Sequence, residues 1–157
     1  MSEKEIEVYG KQVDEIKIRP YEHHAKYYET DQMGIIHHSN YIKWMEEARM
    51  DYMRQSGLPY AQMEKSGIIM PVTAVSCQYK HSVRFDDEVR IETKLTFFNG
   101  VRAMFQYRIF IDGYEEPAVE GESSHCFLDE KTSLPISLRR QYPSFYQRGL
   151  ELVKEEV

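Results

Sequence analysis

The segment YYETDQMGIIHHSNY, from Tyr27 to Tyr41, carries the strongest indication of the fold. It places one carboxylate, that of Asp31, in a turn that contains Gly34, directly ahead of a long helical pattern. Glycine permits a left-handed turn or the close approach of a ligand. The start of a helix carries free N–H groups and a partial positive charge. An acid or base and a group that can polarise a carbonyl oxygen therefore lie close together in the chain.

The helix that follows is predicted over 41–56, because the good N-capping residues Ser39 and Asn40 precede it and Gly57 follows it. Its apolar residues recur at helical spacing, at Tyr41, Trp44, Met45, Ala48 and Tyr52. Such a helix should be covered by other structure on that face. Arg49 falls within the apolar arc, so we expect a carboxylate from Glu46, Asp86 or Asp87 to brace its guanidinium.

The rest of the chain alternates as strands do. The strand candidates are 16–28, 68–81, 89–98 with Phe97 on the apolar face and Phe98 on the other, 102–111, and 118–128 with a β-bulge at Gly121. Asn99-Gly100 is a hairpin signal, and Pro143 should open a C-terminal helix. The predicted fold class is α+β, with an antiparallel five- to six-stranded sheet wrapped around one long central helix and a short C-terminal helix. One domain over 1–157 is expected, with a charged leader at 1–15 and a C-terminal helical segment at 139–157.

Composition limits the function classes. A net charge of −6 and a pI near 5.5 argue against nucleic-acid binding, which needs a basic footprint. Cys77 and Cys126 are far apart and lack C-x-x-C spacing, so buried thiols in a reducing cytoplasm are expected. No segment has the apolar length of a membrane span or a signal peptide. The adjacent histidines of 23–24 and 37–38 lack zinc-binding spacing, so neither a metal nor another cofactor is predicted.

The same residues resemble the signature of a known family, the single-domain hotdog acyl-CoA thioesterases of the 4-hydroxybenzoyl-CoA thioesterase type. The resemblance rests on Thr30-Asp31, Gly34-Ile35-Ile36, His37-His38, Asn40-Tyr41 and Glu46-Glu47-Ala48-Arg49. A second correspondence runs through Pro71, Ser76-Cys77 and 85–89 into 91–93, so the resemblance covers roughly 19–128.

The resemblance implies a hotdog fold and the hydrolysis of an acyl-CoA thioester to a free acid and CoA. Asp31 would act as nucleophile or as general base toward water. The backbone N–H of His38, at the helix start, would form the oxyanion hole, and Gly34 would permit the turn. We expect the flanking residues to contact substrate, namely Ile35, His37, Asn40 and Tyr41. The resemblance also implies a homodimer or homotetramer with active sites at the subunit interface.

The sequence leaves several alternatives open for the site and its substrate. Asp31 could only cap backbone N–H groups, as aspartate often does in turns. The side chain of His38 could orient substrate or Asp31, or be purely structural. Glu46 or Glu47 could supply a second carboxylate, because another hotdog subgroup carries one on its central helix. The carrier could be an acyl carrier protein instead of CoA, and a non-catalytic acyl-CoA-binding module would show binding without turnover.

Overall fold

The computed structural model describes residues 17–155, so the predicted leader at 1–15 and the first residue of the predicted strand at 16–28 lie outside it. Its strands are β1 Tyr21–His24, β2 Ile68–Ile69, β3 Val72–Tyr79, β4 Glu88–Phe98, β5 Arg102–Ile111, β6 Val119–Cys126 and β7 Leu128–Asp129. Its α-helices are α1 His38–Gln55, α2 Tyr60–Lys65, α3 Leu138–Gln141 and α4 Pro143–Glu155. One 3₁₀ turn, Tyr27–Glu29, occupies the end of the segment predicted as strand before Asp31. Within 17–155 none of the helices combines the length and the apolar character that a membrane crossing requires.

Five strands form one antiparallel sheet in the order β1-β4-β5-β6-β3, while β2 and β7 pair separately. Helix α1 lies against the inner face of this sheet. Tyr52 packs its ring on Phe105 of β5, and Met45 lies against Gly121 of β6. The predicted antiparallel sheet around one long helix is therefore confirmed, and the alternation of the strands explains it, because only one face of each strand has to be covered.

The start of α1 differs from the prediction. The helix begins at His38, and His37 is its N-cap residue, with an extended backbone and an Nδ1 atom that accepts from the N–H of Ser39 at 3.2 Å. Ser39 and Asn40, which the sequence suggested as caps, lie inside the first turn. Histidine is an uncommon cap, so pattern rules favoured the two residues that usually perform this role. The helix ends at Gln55, ahead of Gly57 as predicted.

Two details of the strand prediction are wrong for one reason, the placement of a bulge. The register of β4 against β5 shifts between Leu95 and Phe97, which turns Phe98 into the core and leaves Phe97 43% exposed. Gly121 pairs in unbroken register on both sides, so there is no bulge at this position. A Cβ on Gly121 would come 2.3 Å from Cε of Met45. This glycine therefore allows the close approach of α1 to the sheet.

The C-terminal helix opens at Pro143, as predicted, and packs over the end of β4. Phe145 contacts Phe98 and Phe127, with ring centroids 6.0 and 5.8 Å away. A Cβ on Gly149 would come 2.3 Å from the ring of Phe98. The predicted strands 68–81 and 118–128 are each interrupted, which produces the small β2–β7 pair beside the main sheet.

Candidate active site

Asp31 lies in a tight turn that its own side chain helps to form. Its Oδ1 accepts from the N–H of Met33 at 2.8 Å, and its carbonyl oxygen accepts from the N–H of Gly34 at 3.1 Å. Gly34 has a φ of +75°, a conformation that side-chain-bearing residues rarely adopt. The capping role of Asp31 is thus present for one carboxylate oxygen. Within residues 17–155, Oδ2 has no hydrogen-bond partner.

Backbone hydrogen bonds hold the turn at its base and on its outer side. Thr30 and Ile36 form an antiparallel bridge, and the N–H of Asp31 donates to the carbonyl oxygen of Ile35 at 2.8 Å. The N–H of Ile36 donates to the carbonyl oxygen of Val83 at 2.9 Å. The loop therefore has a defined position between α1 and the segment that follows β3.

A cavity of about 290 Å³ opens beside the turn. Three segments line it, and they contribute Asp31, Met33, Ile35, Ile36, His38, Tyr41, Tyr79, Lys80, His81 and Ser82. Four of the residues predicted for the site thus come together here, namely Asp31, Ile35, His38 and Tyr41. The sequence did not identify the contribution of Tyr79, His81 and Ser82, because no local pattern shows that the end of β3 lies beside the turn.

The other three predicted site residues do not line the cavity. Gly34 shapes the turn, and His37 caps α1. Asn40 donates from Nδ2 to the carbonyl oxygen of Glu29 at 2.8 Å. These residues hold the geometry of the site and are not among the cavity-lining groups.

The start of α1 faces the cavity at His38. Within the described part of the chain the N–H of this residue has no hydrogen-bond acceptor, as expected for the first turn of a helix. Its carbonyl oxygen accepts from the hydroxyl of Tyr79 at 3.2 Å. Its imidazole is exposed and stacks on that of His37, with centroids 4.2 Å apart. The backbone of His38 is thus fixed by the edge strand β3.

Two tyrosines contribute protonated hydroxyl groups to the cavity. Burial raises the pKa of Tyr41, and the nearby charges of Asp31 and Asp87 raise it further. The hydroxyl oxygen of Tyr41 accepts from the N–H of Val83 at 3.2 Å. Burial, together with Cys77, raises the pKa of Tyr79 to about 12. Both hydroxyls stay neutral near neutral pH and can donate hydrogen bonds.

Arg49 is buried as predicted, but its partner is different. Its Nη1 donates to the hydroxyl of Tyr107 at 3.2 Å, and this hydroxyl continues to Ser123 at 2.6 Å and then to Nε2 of His125 at 2.8 Å. Within 17–155 no carboxylate lies at ion-pair distance from Arg49, so the expected bracing by Glu46, Asp86 or Asp87 is wrong. The reason is the orientation of α1, which turns Arg49 toward the sheet.

The two glutamates of the helix motif lie on the exposed side of α1. Glu46 and Glu47 do not line the cavity, and Glu47 accepts a hydrogen bond from the hydroxyl of Tyr21 at 2.9 Å. Asp31 is therefore the carboxylate that the cavity contains.

Comparisons with known proteins agree with this geometry. A family model described as the thioesterase-like superfamily matches residues 26–148. The protein named "Putative acyl-CoA thioesterase YneP" from Bacillus subtilis (strain 168) is 32% identical over 122 residues, which make up 78% of this chain and 88% of that protein.

Solved structures superpose over most of the chain. A DHNA-CoA thioesterase from Staphylococcus aureus has a TM-score of 0.81 and 36% identity, and the match covers 88% of this chain and 93% of that one. A gentisyl-coenzyme A thioesterase has a TM-score of 0.67 and 25% identity, with 75% and 95% covered. The chain therefore belongs to the thioesterase-like superfamily, and its antiparallel sheet around one long helix is the hotdog fold predicted from the stretch between Tyr27 and Tyr41.

Proposed function

We propose that this protein hydrolyses an acyl-CoA thioester, with Asp31 as the reacting carboxylate. The observation that carries the proposal is that Asp31 and the first residue of α1, His38, line one cavity of about 290 Å³. The hydrogen bond from Met33 holds Oδ1 and leaves Oδ2 available for reaction. The family and the names of its relatives support the same reaction class.

Two routes use this geometry. As a nucleophile, Oδ2 attacks the thioester carbonyl carbon, the C–S bond breaks, CoA leaves as thiolate, and water then hydrolyses the mixed anhydride. As a general base, Asp31 takes a proton from water, and the resulting hydroxide attacks the carbonyl carbon. A thiolate leaves readily because thiols have a pKa of about 8.5, so neither route requires a strong general acid.

The oxyanion of either route would lie at the start of α1. The N–H of His38 is free to donate to it, and the helix dipole favours negative charge at this end. The hydrogen bond from Tyr79 to the carbonyl oxygen of His38 holds the next peptide unit, His38–Ser39, in the same helical turn. Preorganised donors of this kind contribute about 10²- to 10³-fold to the rate.

We further propose a hydroxylated aromatic acyl group as the substrate class. The cavity combines aromatic rings and hydroxyl groups, from Tyr41, Tyr79 and Ser82, with the apolar side chains of Ile35 and Ile36. Rings favour stacking with an aromatic acyl group, and the hydroxyls can pair with its substituents. The Staphylococcus aureus relative at 36% identity is named for DHNA-CoA. Hydroxybenzoyl- or dihydroxynaphthoyl-CoA should therefore have a higher kcat/KM than straight-chain acyl-CoA of similar size.

We also propose that the protein works as a homodimer, or as a tetramer of dimers, in which copies pair along β3. This strand is one of the two edges of the sheet, and seven of its eight residues are exposed. A long bare edge strand invites pairing with another chain. The cavity lies at the end of β3, at Tyr79, so a partner strand would help to enclose it.

The proposed reaction is tested by Asp31→Asn, which retains an oxygen that can accept from Met33 but cannot act as base or nucleophile. We expect kcat to fall by about 10²- to 10⁴-fold. Asp129→Asn is the matched control, because Asp129 also accepts from the N–H two residues later, Lys131, in a turn outside the cavity. Equal rates for wild type and Asp31→Asn would refute the mechanism. Single turnover in ¹⁸O-water separates the routes, since only nucleophilic attack can put label into Asp31.

A further inference from the structure

A buried carboxylate lies two residues before Asp31. Glu29 is only 7% exposed, and three donors converge on its side chain. Oε1 accepts from Nε2 of His23 at 2.9 Å and from the N–H of Lys26 at 2.8 Å, and Oε2 accepts from Nε1 of Trp44 at 2.6 Å. Burial alone would raise the pKa of this carboxyl, but these hydrogen bonds outweigh it and lower the pKa. Glu29 is therefore an ionised group held in one orientation.

The backbone of Glu29 is bound to the start of α1 as well. Its carbonyl oxygen accepts from the N–H of His37 at 2.8 Å and from Nδ2 of Asn40 at 2.8 Å. The side chain thus anchors β1 and the second turn of the helix, while the main chain anchors the N-cap. Glu29 therefore contacts β1, the second turn of α1 and its N-cap at one point beside the turn of Asp31.

The loop of 30–36 leaves from Glu29 and returns to His37, so this junction, together with the hydrogen bond from Ile36 to Val83, sets its position relative to α1. Among residues 17–155, the hydrogen-bond partners of Asp31 all lie within the loop, at Met33, Gly34 and Ile35. The distance between its carboxylate and the N–H of His38 therefore depends on how firmly the two ends of the loop are held against the helix.

We propose that Glu29 is a positioning residue, which holds the Asp31 loop against α1 through Trp44, His23 and the N-cap so that carboxylate and oxyanion donor face one carbonyl group. The inference rests on the proposed function, because it concerns the same site. Glu29 does not line the cavity and acts only through Asp31 and His38. A shift of about 1 Å between reacting groups can cost about 100-fold in rate.

Glu29→Gln tests the inference with little change of shape. An amide has one acceptor oxygen and an NH₂ donor, so at least one of the three N–H groups around position 29 would face another donor. We expect kcat to fall by about 10- to 100-fold with KM changed by less than about threefold, because the loop moves while the cavity lining stays. Glu22→Gln, at an exposed position of β1, is the matched control and should leave kcat unchanged.

The hydrogen bond itself has a direct readout, because Trp44 is the only tryptophan of the chain. The single indole ¹⁵N–¹H resonance should shift in Glu29→Gln and stay in place in Asp31→Asn. Trp44→Phe removes the donor while keeping a ring, and it should reduce kcat to a similar extent. The double variant should be no slower than the slower single variant, because both remove the same contact.

The results separate the two proposals. If the indole resonance shifts in Glu29→Gln but kcat stays within about twofold of wild type, the positioning role is refuted. A parallel rise of KM with loss of cooperative melting would also refute it, since that pattern reports general loss of structure. Should Glu29→Gln not fold, Trp44→Phe decides by the same criteria. Full activity of Asp31→Asn would instead overturn the proposed function, whatever the result at Glu29.

Discussion

The hydroxyl of Tyr79, at the end of edge strand β3, donates to the carbonyl oxygen of His38, the first residue of α1, at 3.2 Å. This contact links the strand edge proposed for dimerisation to the helix start proposed as the oxyanion hole. The pKa of Tyr79 is raised to about 12 by burial and Cys77, so the donor stays protonated near neutral pH. Pairing of β3 with a second copy would therefore act on the geometry of the cavity.

Tyr79→Phe should lower kcat by about 3- to 10-fold, because the His38–Ser39 peptide, next to the one that carries the N–H of His38, loses a neutral hydrogen bond that helps to hold the first turn of α1. The ring contacts to Tyr41 and His38 remain, so stability should change by less than about 1 kcal/mol. Steady-state kinetics and thermal melting measure the two effects. Tyr114→Phe removes a hydroxyl from an exposed turn and serves as the control. Equal kcat for both variants would contradict the role of the Tyr79–His38 contact.

Gly34→Ala should lower both stability and activity, whereas Gly113→Ala should lower stability alone. Both glycines have positive φ, +75° and +88°, and a Cβ at either would meet nothing within 4 Å. The expected cost is therefore backbone strain of about 1–2 kcal/mol at each position. Only Gly34 shapes the turn of Asp31, so only its variant should lose kcat. Denaturant unfolding and kinetics on the pair measure this, and unchanged kcat in Gly34→Ala would argue against a precise turn.

Gly121→Ala should destabilise the protein by about 1–3 kcal/mol, because the new Cβ would come 2.3 Å from Cε of Met45. The methionine is flexible and can yield in part, which keeps the cost below that of a backbone clash. Met45→Ala creates a void of its own. The double variant should be destabilised by less than the sum of the two single variants, because the new methyl group fills part of that void. Full additivity in denaturant unfolding would contradict the contact.

The stability of the protein should fall as the pH drops from 6.5 to 4. Burial, with the nearby charge of Arg49, lowers the pKa of His125 from 6.5 to about 4. Above pH 6.5 the imidazole of His125 is neutral in both states, so this group places no penalty on folding there. Between these values only the unfolded chain takes up the proton, and unfolding becomes easier by up to about 3 kcal/mol.

His125→Gln should flatten this dependence while retaining a group that can pair with Ser123. Its control is His81→Gln, which alters an exposed imidazole. Urea unfolding at several pH values between 4 and 8 gives the slope of the unfolding free energy against pH for each variant. The same slope in wild type and His125→Gln would show that another group carries the dependence.

Val75→Glu should break the proposed dimer. Val75 lies in the middle of β3 and is 42% exposed, and two-fold pairing of this strand would bring the same residue of both copies close together. Two like charges there repel each other. Size-exclusion chromatography with light scattering should show a smaller particle and kinetics a lower rate. Val101→Glu, in an exposed hairpin loop, is the matched control. An unchanged particle in Val75→Glu would contradict pairing through β3.

Local patterns were sufficient where one face of an element must be buried. The spacing of Trp44, Met45 and Tyr52 predicted the central helix, and alternation predicted β5 with its exact limits at Arg102 and Ile111. These two predictions were correct because they depend only on the period at which apolar residues recur along an element that covers the core. The alternating pattern failed at β4, because a bulge adds one residue and reverses which of Phe97 and Phe98 faces the core. The amino-acid sequence does not show where such a bulge lies.

The fold family and the carboxylate in its turn follow from the sequence alone, because Asp31, Gly34 and the helix motif are close together in the chain. What surrounds them depends on the tertiary structure. Tyr79 reaches His38 across 41 positions, and Arg49 reaches Tyr107 across 58. Glu29 is nearer in sequence to Trp44, yet its burial depends on β1 and α1 meeting around it. Such contacts depend on how separate elements pack, which no local spacing specifies.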